Sequence, residues 1–191
     1  GKAVATADEM TVKELNDALN GKTATQTAYA TRIFTVMGKA ELSIMDNTGT
    51  GRIVPASADT SSGGFKWGMI IQLGSNDATV NLYSGTLDAS GILCKAGKNG
   101  ACIEASAGTT VQIHGGEIIG GTATRGGSIY VYGQGKTYNV TFHLYGGVIE
   151  NGIAREGGGN IYHGNGKLTI TGGIIKDGET KNYQGGNLYV S

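Results

Sequence analysis

The sequence predicts an all-β protein, a right-handed, single-stranded parallel β-helix with a short N-terminal capping α-helix. Three observations support this class. Of the 191 residues, 35 are glycine and 1 is proline, whereas glycine usually makes up about 7% of a protein. Short alternations of apolar and polar residues lie between the glycines, and these alternations repeat along the chain. Repeats of this kind indicate a solenoid, in which each repeat buries its apolar face against its neighbours.

The first twenty residues differ from the rest and predict the capping helix. Thr11 and Glu14 have the spacing of a capping box, and Gly21 occupies the position of a C-terminal cap. The apolar residues between them have helical spacing: Val12, Leu15, Ala18 and Leu19. We expect a capping segment over residues 1–22 with a helix at about 12–20, which would cover the core and the strand edge at one end of the solenoid. A partner-binding helix is the alternative.

The solenoid is expected to occupy residues 23–191 and to contain about five coils. One apolar residue of each alternation marks the coils: Ile44, Leu82, Ile113, Leu144 and Ile170. Successive markers are 38, 31, 31 and 26 residues apart, so the connecting loops vary in length while the strands recur. Each repeat contains three short strands bounded by glycines, which is the pattern of one triangular coil. The segment 46–66, which is rich in Gly, Ser and Thr, is expected to be irregular.

The charge balance and the hydropathy pattern argue against two classes of partner. Lysine plus arginine and aspartate plus glutamate each number 15, so the formal net charge is zero. Binding to nucleic-acid phosphates requires a basic face, and the sequence has no basic cluster. No apolar run approaches the roughly 20 residues that span a bilayer. We therefore expect neither nucleic-acid binding nor membrane insertion. We also expect no cofactor, because the Gly-x-Gly spacings are turns without a following helix.

The two cysteines allow two interpretations. Cys94 and Cys102 flank seven residues that include Gly97 and Gly100, and a turn there could join them in a disulfide of the kind found in extracellular proteins. Alternatively, they are two small apolar side chains buried in the solenoid.

The alternation also predicts which side chains face outward. On one strand of each repeat it predicts an outward column of tyrosines: Tyr130, Tyr162 and Tyr189. On another strand it predicts an outward row whose members are secondary candidates: Tyr83, His114 and Tyr145. Tyrosines one coil apart can stack and stabilise strand pairing. The same rings could instead bind sugars, so the tyrosine column is a candidate ligand-binding site.

No metal or catalytic site is expected. His114 and His143 fall on successive coils roughly 8 Å apart, which is too far for two ligands of one zinc ion, and His163 is expected on another face. Hydrolases need paired carboxylates, whereas outward charges occur singly, as in the row that contains Asp88 and Glu150. A polysaccharide lyase or hydrolase remains the rival interpretation, because such enzymes fit this fold.

The repeats resemble those of a known family. Gly-Gly-Gly-Asn-Ile-Tyr at 157–162 and Leu-Thr-Ile-Thr-Gly-Gly-Ile-Ile at 168–175 resemble the repeats of right-handed parallel β-helix proteins on bacterial cell surfaces, which are pectate-lyase-like solenoids. They are also similar to the Gly-Gly-Ala-Ile repeats of polymorphic outer-membrane autotransporter adhesins. The resemblance covers about residues 80–190 well and 41–73 loosely. It implies a secreted or surface-anchored, adhesin-like protein.

These observations lead to a functional expectation. We expect a non-enzymatic extracellular module of a bacterial surface protein, acting in adhesion or as a structural spacer. The alternatives are a carbohydrate-binding or polysaccharide-cleaving β-helix and a solenoid that assembles end to end. The expected partners are a host or cell-surface protein or glycan. At the open C-terminal edge, we expect either the remainder of a longer parent chain or a second copy.

Overall fold

The computed structural model of the chain describes these residues: 3–6, 32–55, 69–74, 76–94, 97–106, 108–134, 139–182 and 184–191. They contain no helix and fold as a parallel β-helix, which confirms the predicted fold class. The capping helix predicted at about 12–20 lies outside the described residues, as do residues 56–66 of the segment expected to be irregular.

The strands, in chain order, are β1 (Ala3–Thr6), β2 (Arg32–Val36), β3 (Glu41–Met45), β4 (Arg52–Ile53), β5 (Met69–Leu73), β6 (Thr79–Leu82), β7 (Thr86–Asp88), β8 (Ile103–Ser106), β9 (Thr110–Ile113), β10 (Glu117–Ile119), β11 (Thr122–Ala123), β12 (Ile129–Tyr132), β13 (Val140–Leu144), β14 (Val148–Glu150), β15 (Ile153–Ala154), β16 (Ile161–Gly164), β17 (Gly166–Ile170), β18 (Ile174–Lys176), β19 (Glu179–Thr180) and β20 (Leu188–Val190).

These strands form four sheets in which every pair is parallel. Sheet A has the order β1-β3-β6-β9-β13-β17, and sheet B has the order β2-β5-β8-β12-β16-β20. Sheet C has the order β4-β7-β10-β14-β18, and sheet D has the order β11-β15-β19. The chain passes from sheet A to C, through D in the later coils, to B and back to A. Each such pass is one coil, and β17 to β20 form the last of the coils that the structure describes.

The core consists of inward columns, one residue per coil. On sheet A the register aligns Leu82, Ile113 and Leu144, and all three are buried. Phe142, on the neighbouring inward column, is among the largest fully buried side chains. On sheet B, Ile129 is aligned with Ile103 and Ile161. The alternation of the sequence therefore places its apolar residues inside, since successive side chains of a strand point to opposite faces.

Glycine turns the chain where sheet A leads into sheet C, because successive coils approach closely there. Gly116 has a φ of +79°, and a Cβ on it would lie 2.6 Å from the carbonyl oxygen of Gly85. The next amide, Glu117 N, donates to that same oxygen at 2.9 Å. Gly147 repeats this arrangement one coil later, with Gly116 O 2.7 Å from the position of its Cβ. A side chain at these corners would separate the coils and break the hydrogen bond between them.

A ladder of polar side chains stabilises the corner that leads into sheet B. Asn160 is fully buried, and its Oδ1 accepts from Ser128 Oγ at 3.0 Å and from Gly152 N at 2.8 Å. Its Nδ2 donates to Lys176 O at 2.7 Å and to Asn187 Oδ1 at 2.8 Å. One side chain thus connects three successive coils with four hydrogen bonds.

Candidate binding face

The outward side of sheet A presents three columns of side chains, which together form what we call the sheet A face. The hydroxyl column contains Thr79, Thr110 and Thr141. The second column, which we call the amide column, contains the amides of Asn81 and Gln112 and the imidazole of His143 on the same three strands. Of these, Asn81 is buried. The aromatic column lies at the strand ends and contains the predicted secondary candidates Tyr83, His114 and Tyr145.

The aromatic column is a continuous stack of rings. His114 lies 4.5 Å from Tyr83, with 12° between the ring planes, and 4.8 Å from Tyr145, with 13° between the planes. His143 is also parallel to Tyr145, at 5.5 Å and 5°. Tyr83 and Tyr145 are nevertheless 42% and 43% exposed. His114 is covered by a ring on both faces, whereas Tyr83 and Tyr145, at the ends of the stack, each stack on His114 with one face.

Two imidazole nitrogens on this face have no hydrogen-bond partner among the described residues. They are His114 Nε2 and His143 Nδ1, and each atom is shielded from solvent. A shielded polar atom without a partner is unfavourable. His114 was predicted as a secondary candidate of this face, whereas His143 was considered only as a metal ligand. The signal for His143 was its position two residues before Tyr145, which places both on the same side of the strand.

Charged groups lie outside the middle of the sheet A face. Asn81 donates to Glu41 Oε1 at 2.9 Å, which holds this carboxylate at the first coil of the face. At the other end, Lys167 on β17 is exposed and is aligned with Thr141 in the hydroxyl column. The ion pairs of the described residues lie elsewhere. Arg52 and Asp88 pair on sheet C at 2.8 Å, and Lys176 and Glu150 pair there at 2.6 Å. The hydroxyl, amide and aromatic columns of β6, β9 and β13 therefore offer hydrogen-bonding groups without a carboxylate or an ammonium group.

The predicted tyrosine column lies on sheet B and is largely covered. Tyr162 stacks on Tyr130 at 5.4 Å and on Tyr189 at 5.0 Å. Tyr130 and Tyr162 are only 8% and 9% exposed, and burial is the largest cause that raises the pKa of Tyr130. The guanidinium of Arg125 lies 5.4 Å from the centre of the Tyr162 ring. These contacts favour the stacking interpretation, and a ligand-binding role for the column stays a prediction.

Arg125 is itself held in place over this column. Its Nε donates to Glu156 Oε2 at 2.6 Å. The hydrogen bond with this carboxylate is the largest cause that raises the pKa of Arg125. Arg125, which lies over the column, therefore comes from the segment just before Gly126, and Glu156 from the segment just before Gly157 holds it across successive coils.

The two cysteines are buried thiols, so the structure does not form the disulfide considered from the sequence. Cys102 Sγ donates to the carbonyl oxygen of Ile119 at 3.2 Å. Burial raises the pKa of Cys94 to about 11 and raises that of Cys102 further. Thiols with raised pKa values are poor nucleophiles. Both residues therefore match the alternative interpretation, that of small side chains in the core.

His163 points into the core instead of lying on another outward face. It is 2% exposed, and its register partners are Val131 on β12 and Val190 on β20. The alternation explains this direction, since His163 lies two residues after the inward Ile161. Within the described residues, no group of three or more His, Cys, Asp and Glu side chains could hold a metal ion.

Comparison with known proteins gives no family assignment. No protein-family model, curated protein or solved structure matches the chain. Among the described residues, no helix has the length and apolar character needed to cross a bilayer. The findings therefore establish a parallel β-helix built from repeats, and the function has to be inferred from its surface.

Proposed function

We propose that the chain is a non-enzymatic, adhesin-like β-solenoid module of a bacterial surface protein, which acts outside the cell and binds its partner through the sheet A face. The repeats at 157–162 and 168–175 resemble those of surface β-helix proteins, and this resemblance supports a location outside the cell on a bacterial surface protein. The single observation that supports the binding role is the exposed stack of Tyr83, His114 and Tyr145.

The physical case for this face rests on its rigidity. Tyrosine is enriched at protein interaction surfaces, because it offers a large contact area with few rotatable bonds. In the aromatic column each ring is further held by its neighbours on adjacent coils. Binding to such a face would lose little side-chain entropy, which is one of the main costs of association.

Beads coated with the chain are expected to be retained under flow on mucin-coated glass, a surface that offers both protein and glycan. The double variant Gln112→Arg/Thr141→Arg should lower retention on the order of tenfold, because it places two guanidinium groups in the middle of the contact face. Both side chains point outward, so the core is unchanged.

The matched control is Thr86→Arg/Thr122→Arg. It makes the same change in charge on sheets C and D, and beads that carry it should be retained like the unmodified chain. The proposal would be overturned if the two double variants behaved alike, or if mucin did not retain the unmodified chain.

End-to-end contact is a second candidate, and the last described coil favours it. Ile170 and Val190 continue inward columns of the core, yet both are exposed. Leu168 and Leu188 beside them are only partly buried. Apolar residues and unpaired strand edges at one end of a solenoid are stabilised when a further coil covers them. That coil would belong to a longer parent chain or to a second copy of this one.

Sedimentation velocity over a series of concentrations tests contact between copies. The average mass is expected to rise with concentration, and Ile170→Asp should weaken this association on the order of tenfold by placing a charge on the apolar end. Thr171→Asp, which adds the same charge to an exposed outward position of that coil, should have little effect. A monomer at every concentration would rule out association between copies.

A further inference from the structure

We propose that the ligand of the sheet A face is a linear, uncharged glycan that runs along the solenoid axis with about one sugar unit per coil. This inference rests on the contact role proposed above for the same face. It adds the chemical class of the ligand and its direction.

The functional groups of the face are those that pair with sugar hydroxyls. Threonine hydroxyls, an amide, imidazole rings and phenol edges lie side by side on β6, β9 and β13. Such groups both donate and accept hydrogen bonds, and so do the hydroxyls of a sugar. Between Glu41 on β3 and Lys167 on β17, the strands β6, β9 and β13 carry outward neither a carboxylate to repel an acidic glycan nor a lysine or arginine to attract one. An uncharged polyhydroxylated chain is therefore the complementary ligand.

The spacing of the columns suits a chain that repeats along the axis. Parallel strands lie about 4.8 Å apart, and the rings of the aromatic column are 4.5 and 4.8 Å apart. An extended β-linked glycan advances by a similar distance for each sugar unit. On the three coils of β6, β9 and β13, a glycan that lies along the columns would therefore meet a threonine, an amide or imidazole group and an aromatic ring at each step.

The unpartnered imidazole nitrogens point to a ligand with hydroxyl groups. His114 Nε2 and His143 Nδ1 make no hydrogen bond within the described part of the chain. Both atoms are shielded from solvent in the present ring orientations, so a ligand would reach them only after a half-turn of the ring about its Cβ–Cγ bond, which exchanges nitrogen and carbon positions. A sugar hydroxyl satisfies an imidazole nitrogen in either tautomer, because it can donate or accept.

The stacking geometry favours a glycan over a protein partner. A protein interface usually has an apolar centre, whereas the centre of this face is Gln112 with Thr110 and His143 beside it. Within the stack, the ring faces of Tyr83, His114 and Tyr145 are turned toward each other, so a ligand that lies along the stack meets ring edges between its two ends. Recognition through edges depends on hydrogen bonds, of which a glycan offers many per unit length.

Printed polysaccharides test the inference. The chain is expected to bind neutral linear β-glycans, such as a soluble β-1,4-glucan or β-mannan, and to bind polygalacturonate or hyaluronan at least tenfold more weakly. The triple variant Tyr83→Phe/His114→Phe/Tyr145→Phe keeps three stacked rings and removes their polar atoms. Its affinity for the neutral glycan, measured by calorimetry, should fall at least tenfold. Tyr132→Phe, the same substitution on sheet B, should bind like the unmodified chain.

A second variant controls for a folding defect in the triple variant. Thr110→Val removes one outward hydroxyl and keeps the β-branched shape, and its affinity should fall several-fold with an unchanged melting temperature. Full binding by both variants, a preference for acidic polysaccharides, or binding to none of the neutral glycans would each overturn the inference. If none of the neutral glycans binds while mucin still retains the unmodified chain and not the Gln112→Arg/Thr141→Arg variant, the glycan inference fails while the adhesin function stands.

Discussion

Replacement of Asn160 by alanine is expected to lower the free energy of unfolding by about 3–5 kcal/mol. The substitution removes four hydrogen bonds and leaves Ser128 Oγ and Gly152 N in a buried region without a partner. An unsatisfied buried polar group costs about 1–3 kcal/mol, and the smaller side chain also leaves a cavity. Urea unfolding followed by circular dichroism measures the change.

Asn187 provides the matched control for this prediction. It continues the same ladder and accepts from Gly178 N at 2.9 Å, but it is exposed in the last coil. Water can replace its contacts, so Asn187→Ala should lower the free energy of unfolding by about 1 kcal/mol or less. If Asn160→Ala and Asn187→Ala lowered the free energy of unfolding equally, burial of the ladder would not determine how much each residue contributes to stability.

Acidification below about pH 6.5 is expected to destabilise the chain through His163. Burial lowers the pKa of its imidazole, while an unfolded histidine has a pKa of about 6.5. As the pH falls below that value, the unfolded chain binds a proton that the folded core disfavours, so stability decreases until the folded pKa is passed. The slope over this range approaches 1.4 kcal/mol per pH unit. Above about pH 7 the residue causes no pH dependence.

The environment of His163 explains why protonation is unfavourable. Neither ring nitrogen makes a hydrogen bond with a described residue. The nearby backbone at Lys167 and at His163 itself favours the protonated ring without forming a hydrogen bond with it in this geometry, and burial has the larger effect on the pKa. Above and below it in the column are the side chains of Val131 and Val190, which can stabilise no charge. A proton would thus be placed between two apolar side chains.

The variant His163→Leu isolates this contribution. The test compares the free energy of unfolding of the unmodified chain with that of the variant at pH 7.5, 6 and 5. Effects of other titrating groups are common to both proteins, so only the difference in slope reports His163. We expect the variant to lose the slope and to be at least as stable at pH 7.5, since it removes two unpartnered nitrogens. Parallel pH profiles would refute this account.

Asn160 lies away from the proposed binding face. Asn160 connects the coils of β12, β16 and β20 at the corner that leads into sheet B, while the face lies on β6, β9 and β13. We therefore expect damage at Asn160 to loosen the later coils first. The Tyr83, His114 and Tyr145 stack stands on coils whose core columns are fully buried, which is what a rigid contact surface requires.

Part of the candidate site could be predicted from the sequence. The alternation Thr-Val-Asn-Leu-Tyr at 79–83 and its counterparts at 110–114 and 141–145 place Tyr83, His114 and Tyr145 outward. The same rule places His163 inward, two residues after Ile161, and the prediction of an outward face for His163 was wrong. The alternation could not predict that Arg125 lies over Tyr162, because Arg125 and its partner Glu156 come from corners between strands, where side chains do not alternate.

The sequence by itself determined the fold class, since its short apolar alternations, separated by glycines, can be buried only when successive repeats stack. It also determined which side chains of each strand face outward, because that direction follows from a period of two. Only the tertiary structure decided which outward column is exposed and which is covered. The reason is physical: exposure depends on side chains that reach across from other coils, as Arg125 does over Tyr162, and such contacts join residues that no local pattern relates.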